Sequence, residues 1–222
     1  MTITRSVGPR TESSDSPNYL TIYGVKRFGE VGDVDLLDGL LDNGVKRNMD
    51  EWANFSLLEY EKGRFYQVDA PTFTGILVRL RELYECPSER LGEFDHAFNR
   101  LRRHTIYDSI QFATNIDLMP KSNPQARDII THSRGLPIER GLKINAFDIQ
   151  QLVEGVFGRN AIELYSWWNE TPVRLFRADE RPERQSRVGA GFGSNSGTGF
   201  ICYWDSLSAV RTLGVRWHPQ KS

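Results

Sequence analysis

The spacing of apolar residues changes repeatedly between residues 19 and 85, and this alternation limits the fold more than any other feature of the sequence. Residues 19–28 are rich in aromatic and β-branched side chains, which is typical of a strand. The apolar residues of 34–41 recur at helical spacing, and Asp33 and Asp35 at the start of this segment suit a helix N-terminus. Asn43-Gly44 follows, a pair that tolerates positive φ where a helix ends. The pattern therefore predicts strands and helices mixed within one unit.

The next segment carries the clearest turn signal of the chain. Lys62-Gly63 separates two apolar runs at 55–61 and 64–69, and this arrangement predicts a β-hairpin. One apolar stripe through 73–85 predicts a helix, and Pro87 starts a second helix that is expected to extend through His104. The resulting order of strand, helix, strand, strand and helix is typical of a ferredoxin-like βαββα unit. We predict an α+β fold with this N-terminal unit, central helices and an antiparallel C-terminal sheet.

The second half of the chain carries two further helical stripes and four strand-like runs. Helices are predicted at 123–133 and 147–157, and strands at 161–168, 173–178, 198–204 and 210–217. Residues 1–18 hold almost no large apolar group, so they are predicted to form a flexible arm. Two α+β units are expected to follow, 19–114 and 115–222, and one continuous domain is the alternative.

The net charge of −1 conceals an asymmetry along the chain. Acidic residues outnumber basic ones in 1–98, whereas basic residues outnumber acidic ones in 99–222. A basic half is typical of a protein with a nucleic-acid partner. Opposite charges equally suit packing between subunits of one assembly, so both classes of protein stay open on charge alone.

Residues 179–199 form the most unusual segment, because three arginines are followed by five glycines. Arginine donates paired hydrogen bonds to phosphate, and glycine lets backbone N–H groups come close to an anion. We therefore predict a loop that contacts a nucleic-acid backbone; a long loop on which nothing packs is the alternative interpretation. Two arginines of the second central helix complete the predicted site. The predicted nucleic-acid-binding residues are Arg181, Arg184, Arg187, Gly189, Gly191, Gly193, Gly197, Gly199, Arg102 and Arg103.

The same segment resembles the glycine-rich loop of CRISPR repeat-associated RNA-binding proteins. The matching residues are Gly191-Phe192-Gly193 followed by Gly197-Thr198-Gly199-Phe200, ahead of a predicted strand. The resemblance covers this loop and the partial βαββα order at 19–85. It implies a ferredoxin-like fold and a guide or repeat RNA that is held by the loop.

Catalytic, metal and cofactor sites have no supporting motif. His96 and His104 lie two turns apart on one predicted helix, too far for both to bind one metal ion. His132 and His218 have no partner in the sequence pattern, and all four are interpreted as surface or hydrogen-bonded histidines. We therefore expect no catalytic residue, no metal and no cofactor. The enzymatic alternative is a metal-independent ribonuclease, in which a histidine takes the proton of a 2′-hydroxyl.

The remaining polar and sulfur groups are explained by the predicted elements. The aspartates of 33–38 complement the dipole of a helix start, and the acidic residues of 59–69 lie on the solvated face of the predicted hairpin. Cys86 and Cys202 lie far apart without a CxxC motif, so they are expected to be buried free thiols.

Four of the five tryptophans lie in the last quarter of the chain. Beside nearby arginines, Trp167, Trp168, Trp204 and Trp217 suit either stacking on unpaired bases or the core of a closing sheet. We expect two of the four in the core and at least one of Trp167 and Trp168 at the surface.

No apolar run is long enough to span a membrane, and residues 1–18 lack the apolar region of a secretory signal. The protein is therefore expected in the cytoplasm, or in a virus particle assembled there, without a membrane partner. We favour a nucleic-acid-binding component of a larger complex, whose partner is single-stranded RNA. The alternative is a non-enzymatic structural protein, of a virion or another oligomer, in which opposite-charge halves of neighbouring subunits pack together.

Overall fold

A computed structural model provides the structure of the protein. It describes residues 7–10, 18–27, 29–86, 94–108, 110–112, 116–118, 129–132, 142–143, 160–170, 172–176, 186–193, 197–204 and 209–220. The helices in this part of the chain are α1 (Met49–Glu61), α2 (Ala70–Glu85), α3 (Phe94–Tyr107) and α4 (Ala161–Asn169). The strands are β1 (Val7–Arg10), β2 (Tyr19–Arg27), β3 (Glu30–Leu40), β4 (Tyr66–Gln67), β5 (Gln111–Phe112), β6 (Ile116–Leu118), β7 (Ile129–His132), β8 (Leu142–Lys143), β9 (Arg174–Phe176), β10 (Ser186–Gly193), β11 (Gly197–Trp204) and β12 (Leu213–Pro219). The mixture of helices and antiparallel strands confirms the α+β class.

The described strands form two sheets. The first has the order β1-β2-β3-β12-β4, and each neighbouring pair in it is antiparallel. The second has the order β8-β7-β6-β10-β11-β9, with β5 also paired to β10. Its described pairs are antiparallel except for β9 with β11. None of the described helices has the length and apolar character that are needed to span a bilayer.

Helix α2 is the central element of the core. Asp69 caps its N-terminus by accepting a hydrogen bond of 2.7 Å from the Thr72 N–H, and Pro71 lies in the first turn. Gly75 brings α2 against β2, because a Cβ there would collide with the carbonyl oxygen of Lys26. The core around α2 joins both sheets and α4; its buried members include Phe73, Ile76, Leu77, Leu80, Ile22, Val34, Leu36, Val215, Phe112, Tyr165 and Trp168.

The helix predicted at 34–41 is wrong, since residues 34–40 belong to strand β3 and Leu41 begins a short 3-10 helix, Leu41–Gly44. Val34 and Leu36 alternate into the core, and Asp35 between them faces the other side of the sheet. The apparent helical spacing arose from the doublets Leu36-Leu37 and Leu40-Leu41, which place an apolar residue at both parities. The end of that helix predicted at Asn43-Gly44 is therefore also wrong, although both residues do have positive φ, 53° and 76°.

The hairpin predicted across Lys62-Gly63 is also wrong, because residues 55–61 complete helix α1. A capping box starts α1: Glu51 N–H donates to Asn48 Oδ1, and Asn48 N–H donates to Glu51 Oε2. Gly63, with φ of 67°, ends the helix. The positive-φ position therefore serves as a helix terminus, and 19–85 reads strand, strand, helix, strand, helix.

Two further assignments differ from the sequence prediction. The predicted strand 161–168 is helix α4, whose residues Ala161, Leu164, Tyr165 and Trp168 are buried at helical spacing. Ile129–His132, within the predicted helix 123–133, is strand β7. In each case a short apolar run fitted both periods, and tertiary packing decided the outcome.

Other predictions are confirmed within the described residues. The helix at 73–85 is α2, and α3 covers the described end of the helix predicted after Pro87. The strands predicted at 19–28, 173–178, 198–204 and 210–217 correspond to β2, β9, β11 and β12.

Three further predictions have other outcomes. The helix predicted at 147–157 lies outside the described residues. Within the predicted arm, Val7–Arg10 forms strand β1 and pairs with β2. Cys86 is free but exposed, contrary to the expected burial.

Candidate functional site

A cleft lies where the end of β3 meets α1, α3 and β12. Its first part, of about 580 Å³, is bordered by Tyr19, Phe55, Arg64 and Arg216. Its second part, of about 780 Å³, lies against α3. The two parts share residues 39–40, Asn43 and Arg100, so we treat them as one site and call it the β3 cleft.

A strained turn forms one border of the β3 cleft. Asp42, Asn43 and Gly44 have φ of 49°, 53° and 76° in succession. For a residue with a side chain, this left-handed backbone conformation costs about 1–2 kcal/mol, so runs of such residues are rare. The Leu41 N–H donates to the Thr212 carbonyl at 3.0 Å, and Arg47 forms an ion pair with Asp42. These contacts keep the turn in its strained conformation. Strained backbone conformations are frequent at functional sites.

Arg100 connects α3 to β3 at the middle of the cleft. Its Nε donates to the Asp38 carbonyl oxygen at 2.8 Å and lies 2.5 Å from Asp38 Oδ1. No described residue accepts a hydrogen bond from its Nη1 or Nη2, and the side chain is 42% exposed. Because a guanidinium carries five N–H donors, Arg100 is fixed in place while most of its donors still face the cleft.

Two more arginines lie around the same opening. Arg103, three residues after Arg100, lines the second part of the cleft, and no described carboxylate forms an ion pair with it. Arg64 lies across the cleft with 67% of its side chain exposed, and its Nη1 is 3.6 Å from Glu59 Oε2. Three guanidinium groups with open donors therefore surround one cleft, an arrangement that suits phosphate oxygens.

His104 borders the second part of the cleft as a fixed polar group. Its Nδ1 lies 2.5 Å from Asp108 Oδ2, and its Nε2 lies 3.4 Å from the Asp38 carbonyl oxygen. Both ring nitrogens thus have a protein partner, and the ring is oriented beside Arg103.

Arg216 forms the opposite wall together with two aromatic rings. Its Nη2 donates to Asp35 Oδ2 at 3.0 Å. Its guanidinium carbon lies 4.8 Å from the ring centre of Tyr19 and 4.5 Å from that of Phe65. The two rings are themselves 5.6 Å apart. This wall therefore presents a cation that is held over aromatic surface.

Asp35 organises this wall from within the sheet. The carboxylate is buried and accepts a hydrogen bond of 2.7 Å from Thr21 Oγ1, besides the one from Arg216. His218 Nε2 lies 2.8 Å from Oδ2 of the same carboxylate. Because an ionised carboxylate only accepts, this contact holds the imidazole proton on Nε2.

Two buried tyrosines lie near Asp69 in the core. Burial raises the pKa of Tyr66, and the negative charge of Asp69 raises it further. Burial also raises the pKa of Tyr165, whose hydroxyl lies 3.1 Å from Thr74 Oγ1. Both phenols stay protonated at neutral pH, so they serve the packing of the core and are not nucleophiles.

The structure separates the predicted nucleic-acid-binding residues. Arg103 lies in the β3 cleft, whereas Arg102 Nη2 is 2.8 Å from Glu170 Oε1 beside α4. Arg187 lies on β10. Arg181 and Arg184 lie outside the described residues.

The glycines lie on paired strands, so the predicted loop is wrong at 186–193 and 197–199. Gly191 pairs with Gly199, and Gly193 pairs with Gly197. Since neighbouring strands flank β10 and β11 on both sides, backbone N–H groups lie in the plane of the sheet. Positions 189, 191 and 193 alternate with 190 and 192, so the glycines share one face of the ribbon.

The acidic residues and histidines that the sequence analysis considered for metal binding or catalysis lie on several separate elements. Asp33, Asp35 and Asp38 lie on β3, and Glu59 and Glu61 lie at the end of α1. His132 lies on β7, while the side chain of His96 is outside the described part. No group of three His, Cys, Asp or Glu within the described residues is able to hold a metal ion.

The adjacent tryptophans of α4 differ in exposure. Trp168 is buried, and its Nε1 donates to Thr105 Oγ1 at 3.0 Å. Trp167 is half-buried, packs against Tyr84, and lies 5.7 Å from the guanidinium carbon of Arg81. Hydrogen bonds to Glu85 and Glu163 raise the pKa of Arg81, so this arginine is engaged by two carboxylates, whereas no described carboxylate forms an ion pair with Arg103.

Comparison of the chain with protein-family models, with curated proteins and with solved structures found no match. The interpretation of the β3 cleft therefore rests on its own residues. Sequence reasoning identified Arg103 but missed Arg64 and Arg100. Arg216 is one of the arginines that it placed near the C-terminal tryptophans as candidates for stacking on bases. The positive-φ pair Asn43-Gly44 was the signal nearest to the cleft, because it marks the turn that borders it.

Proposed function

We propose that the protein binds single-stranded RNA as a component of a larger complex, and that the β3 cleft supplies the phosphate contacts. The observation that carries this proposal is the set of Arg64, Arg100 and Arg103 around one opening, with guanidinium donors that no described residue accepts. Arginine contacts phosphate oxygens through parallel N–H donors, so three such groups suit a strand that carries several phosphates. The basic excess of residues 99–222 supports the same class of partner.

The aromatic wall of the cleft favours an unpaired strand over a duplex. Proteins recognise single-stranded RNA by stacking bases on aromatic rings and guanidinium planes, while a duplex keeps its bases inside. Phe65 and Arg216 provide surfaces of this kind beside the phosphate-binding arginines, and the buried Tyr19 supports them from within the sheet. The proposed ligand is therefore a flexible single strand that follows the cleft past α3.

The β10–β11 ribbon is the second proposed contact. Because glycine has no side chain, its positions on one face of this ribbon would allow close approach by a sugar–phosphate chain. The resemblance to CRISPR repeat-associated RNA-binding proteins concerns this same ribbon, and it stays a prediction.

The proposal is tested by titrating a fluorescent single-stranded RNA at several salt concentrations. For single strands, each neutralised phosphate contributes about 0.7 to the slope of log affinity against log salt. The change Arg103→Ala is expected to lower this slope by about that amount and to weaken binding. Arg81→Ala is the matched control, since it removes the same charge from an arginine whose donors are already engaged. Equal salt slopes for wild type and Arg103→Ala would contradict the proposal for the cleft.

A second candidate is assembly through α1. Leu57, Leu58 and Tyr60 are 43%, 55% and 49% exposed, which places three large side chains of one helix in solvent. A self-assembling protein should grow in mass with concentration, as measured by light scattering. Replacing Leu58 by Gln should then restore the monomer mass, and a wild-type monomer at every concentration would contradict this candidate.

A further inference from the structure

We infer that the first part of the β3 cleft holds one unstacked RNA base, and that it prefers bases with an exocyclic amino group. The inference rests on the proposed RNA binding and extends it, because it turns a phosphate-binding cleft into a site that reads base identity. It follows from how charges and rings are divided between the two parts of the cleft.

The two parts of the cleft differ in charge. The first part is bordered by three carboxylates, Asp38, Asp42 and Glu59, and by three arginines, Arg64, Arg100 and Arg216, so its charges balance. The second part is bordered by Arg100, Arg103, His104 and a single carboxylate. The second part therefore has the excess of positive charge, which draws a phosphate towards α3. The first part is left for an uncharged portion of the nucleotide.

The size and lining of the first part suit a heteroaromatic ring. Its volume of about 580 Å³ lies in the range of small-molecule sites, which are about 300–1,000 Å³. Phe55 and Phe65 are half-buried and supply aromatic surface, whereas Tyr19 is buried behind them. The Arg216 guanidinium lies over Tyr19 and Phe65, and that of Arg47 lies over Phe55. Arg216 is held there by the buried Asp35, so its position does not depend on a ligand. A base that enters the cleft therefore meets a preformed stacking wall.

The carboxylates set the preference among bases. An ionised carboxylate only accepts hydrogen bonds, and in base recognition it pairs with amino groups such as cytosine N4. Glu59 is held by Lys62 at 3.0 Å, and Asp42 by Arg47, so both groups are fixed at the rim of the first part. Adenine and cytosine carry an exocyclic amino group, whereas uracil presents carbonyl oxygens in its place. The cleft should therefore select adenine or cytosine over uracil.

The experiment compares four RNA hexamers of equal charge: oligo(A), oligo(C), oligo(U) and an abasic hexamer. Stacking of one base contributes about 1–3 kcal/mol, which corresponds to about fivefold or more in affinity. We expect oligo(A) or oligo(C) to bind about fivefold or more tightly than the abasic hexamer, with oligo(U) weaker than both. Glu59→Gln should reduce the preference over oligo(U), since a glutamine also donates to a uracil carbonyl. Glu163→Gln on α4, an exposed residue outside the cleft, is the control and should leave the order unchanged.

The outcomes separate the two proposals. Equal binding of all four hexamers, with a steep salt dependence, would overturn the base site while the phosphate contacts of the proposed function stand. No binding of any hexamer at low salt would overturn the proposed function and the base site together. A wild-type preference that Glu59→Gln leaves unchanged would assign the selection to residues other than this carboxylate and overturn the inference as stated. Thermal unfolding of each variant verifies that affinity is compared between folded proteins.

Discussion

Asp69 and Asp35 are both buried carboxylates, but they lie in two regions with different tasks. Asp69 caps α2 in the core, accepting from the Thr72 N–H, and forms an ion pair of 3.0 Å with Arg27. Asp35 lies on β3 and holds Arg216 at the wall of the β3 cleft. The partners of Asp69 are mostly buried, whereas those of Asp35 reach the surface. Loss of the first carboxylate should therefore lower the free energy of unfolding most, and loss of the second should mainly release the wall of a site.

The largest expected effect is that of Asp69→Ala. It removes the cap of α2 and breaks the ion pair with Arg27, whose side chain is only 13% exposed. Breaking a buried pair from one side costs about 3–5 kcal/mol of unfolding free energy, as measured by urea denaturation. Asp69→Asn retains a capping oxygen and should lose less. Equal, small losses for both variants would mean that Asp69 contributes little to the core.

A smaller loss of stability is expected for Asp35→Ala, about 1–3 kcal/mol, because Arg216 and His218 remain partly solvated. Its distinguishing result is functional: RNA affinity should fall more than in Asp69→Asn, since Arg216 is no longer held over Tyr19 and Phe65. Fluorescence titration of both variants at one temperature, where both are folded, makes the comparison. Similar affinities would remove the distinction between the two regions.

Thr21→Val sharpens the comparison with a single hydrogen bond. The change keeps the shape of the side chain and removes the donor to Asp35 Oδ1 at 2.7 Å. One such bond contributes about 1 kcal/mol to the free energy of unfolding. RNA affinity should stay near that of the wild type, because the contact from Arg216 to Asp35 Oδ2 is intact. A loss as large as that of Asp35→Ala would instead make Thr21 essential to the wall.

The smallest effect at neutral pH is that of Tyr66→Phe in its response to alkali. Burial raises the pKa of Tyr66, so the unfolded chain loses this proton first as pH rises above about 10. The folded state is then disfavoured, and stability should fall with increasing pH in that range. Urea denaturation between pH 8 and 11 should show a shallower fall for Tyr66→Phe. Tyr107→Phe, at a position 70% exposed, should behave as the wild type.

Local patterns predicted those elements whose period was unambiguous. The apolar stripe of α2 and the β-branched run of β2 were identified, whereas the leucine doublets disguised β3 as a helix. The capping box of Asn48 and Glu51 was a sequence signal for α1, but Lys62-Gly63 fitted a hairpin as well as a helix end. Packing against the rest of the chain decided between these alternatives.

The candidate site was less predictable than the fold because its contacts are remote in sequence. Asp35 meets Arg216 and His218 across 181 and 183 residues, respectively. No spacing rule connects such residues; only the insertion of β12 beside β3 brings them together. Arg103 was identified from its charge alone, and its relation to Arg100 became apparent only when α3 was placed against β3.

The position of β12 between β3 and β4 also affects the order of events during synthesis. β3 and β4 leave the ribosome early, but the strand that joins them follows only after residues 68–212 have been made. Until then both strands present an unpaired edge, which is a template for pairing with other chains. Contacts of such long sequence separation also form slowly. The nascent chain should therefore be vulnerable to aggregation until β12 emerges, and dependent on chaperones up to that stage.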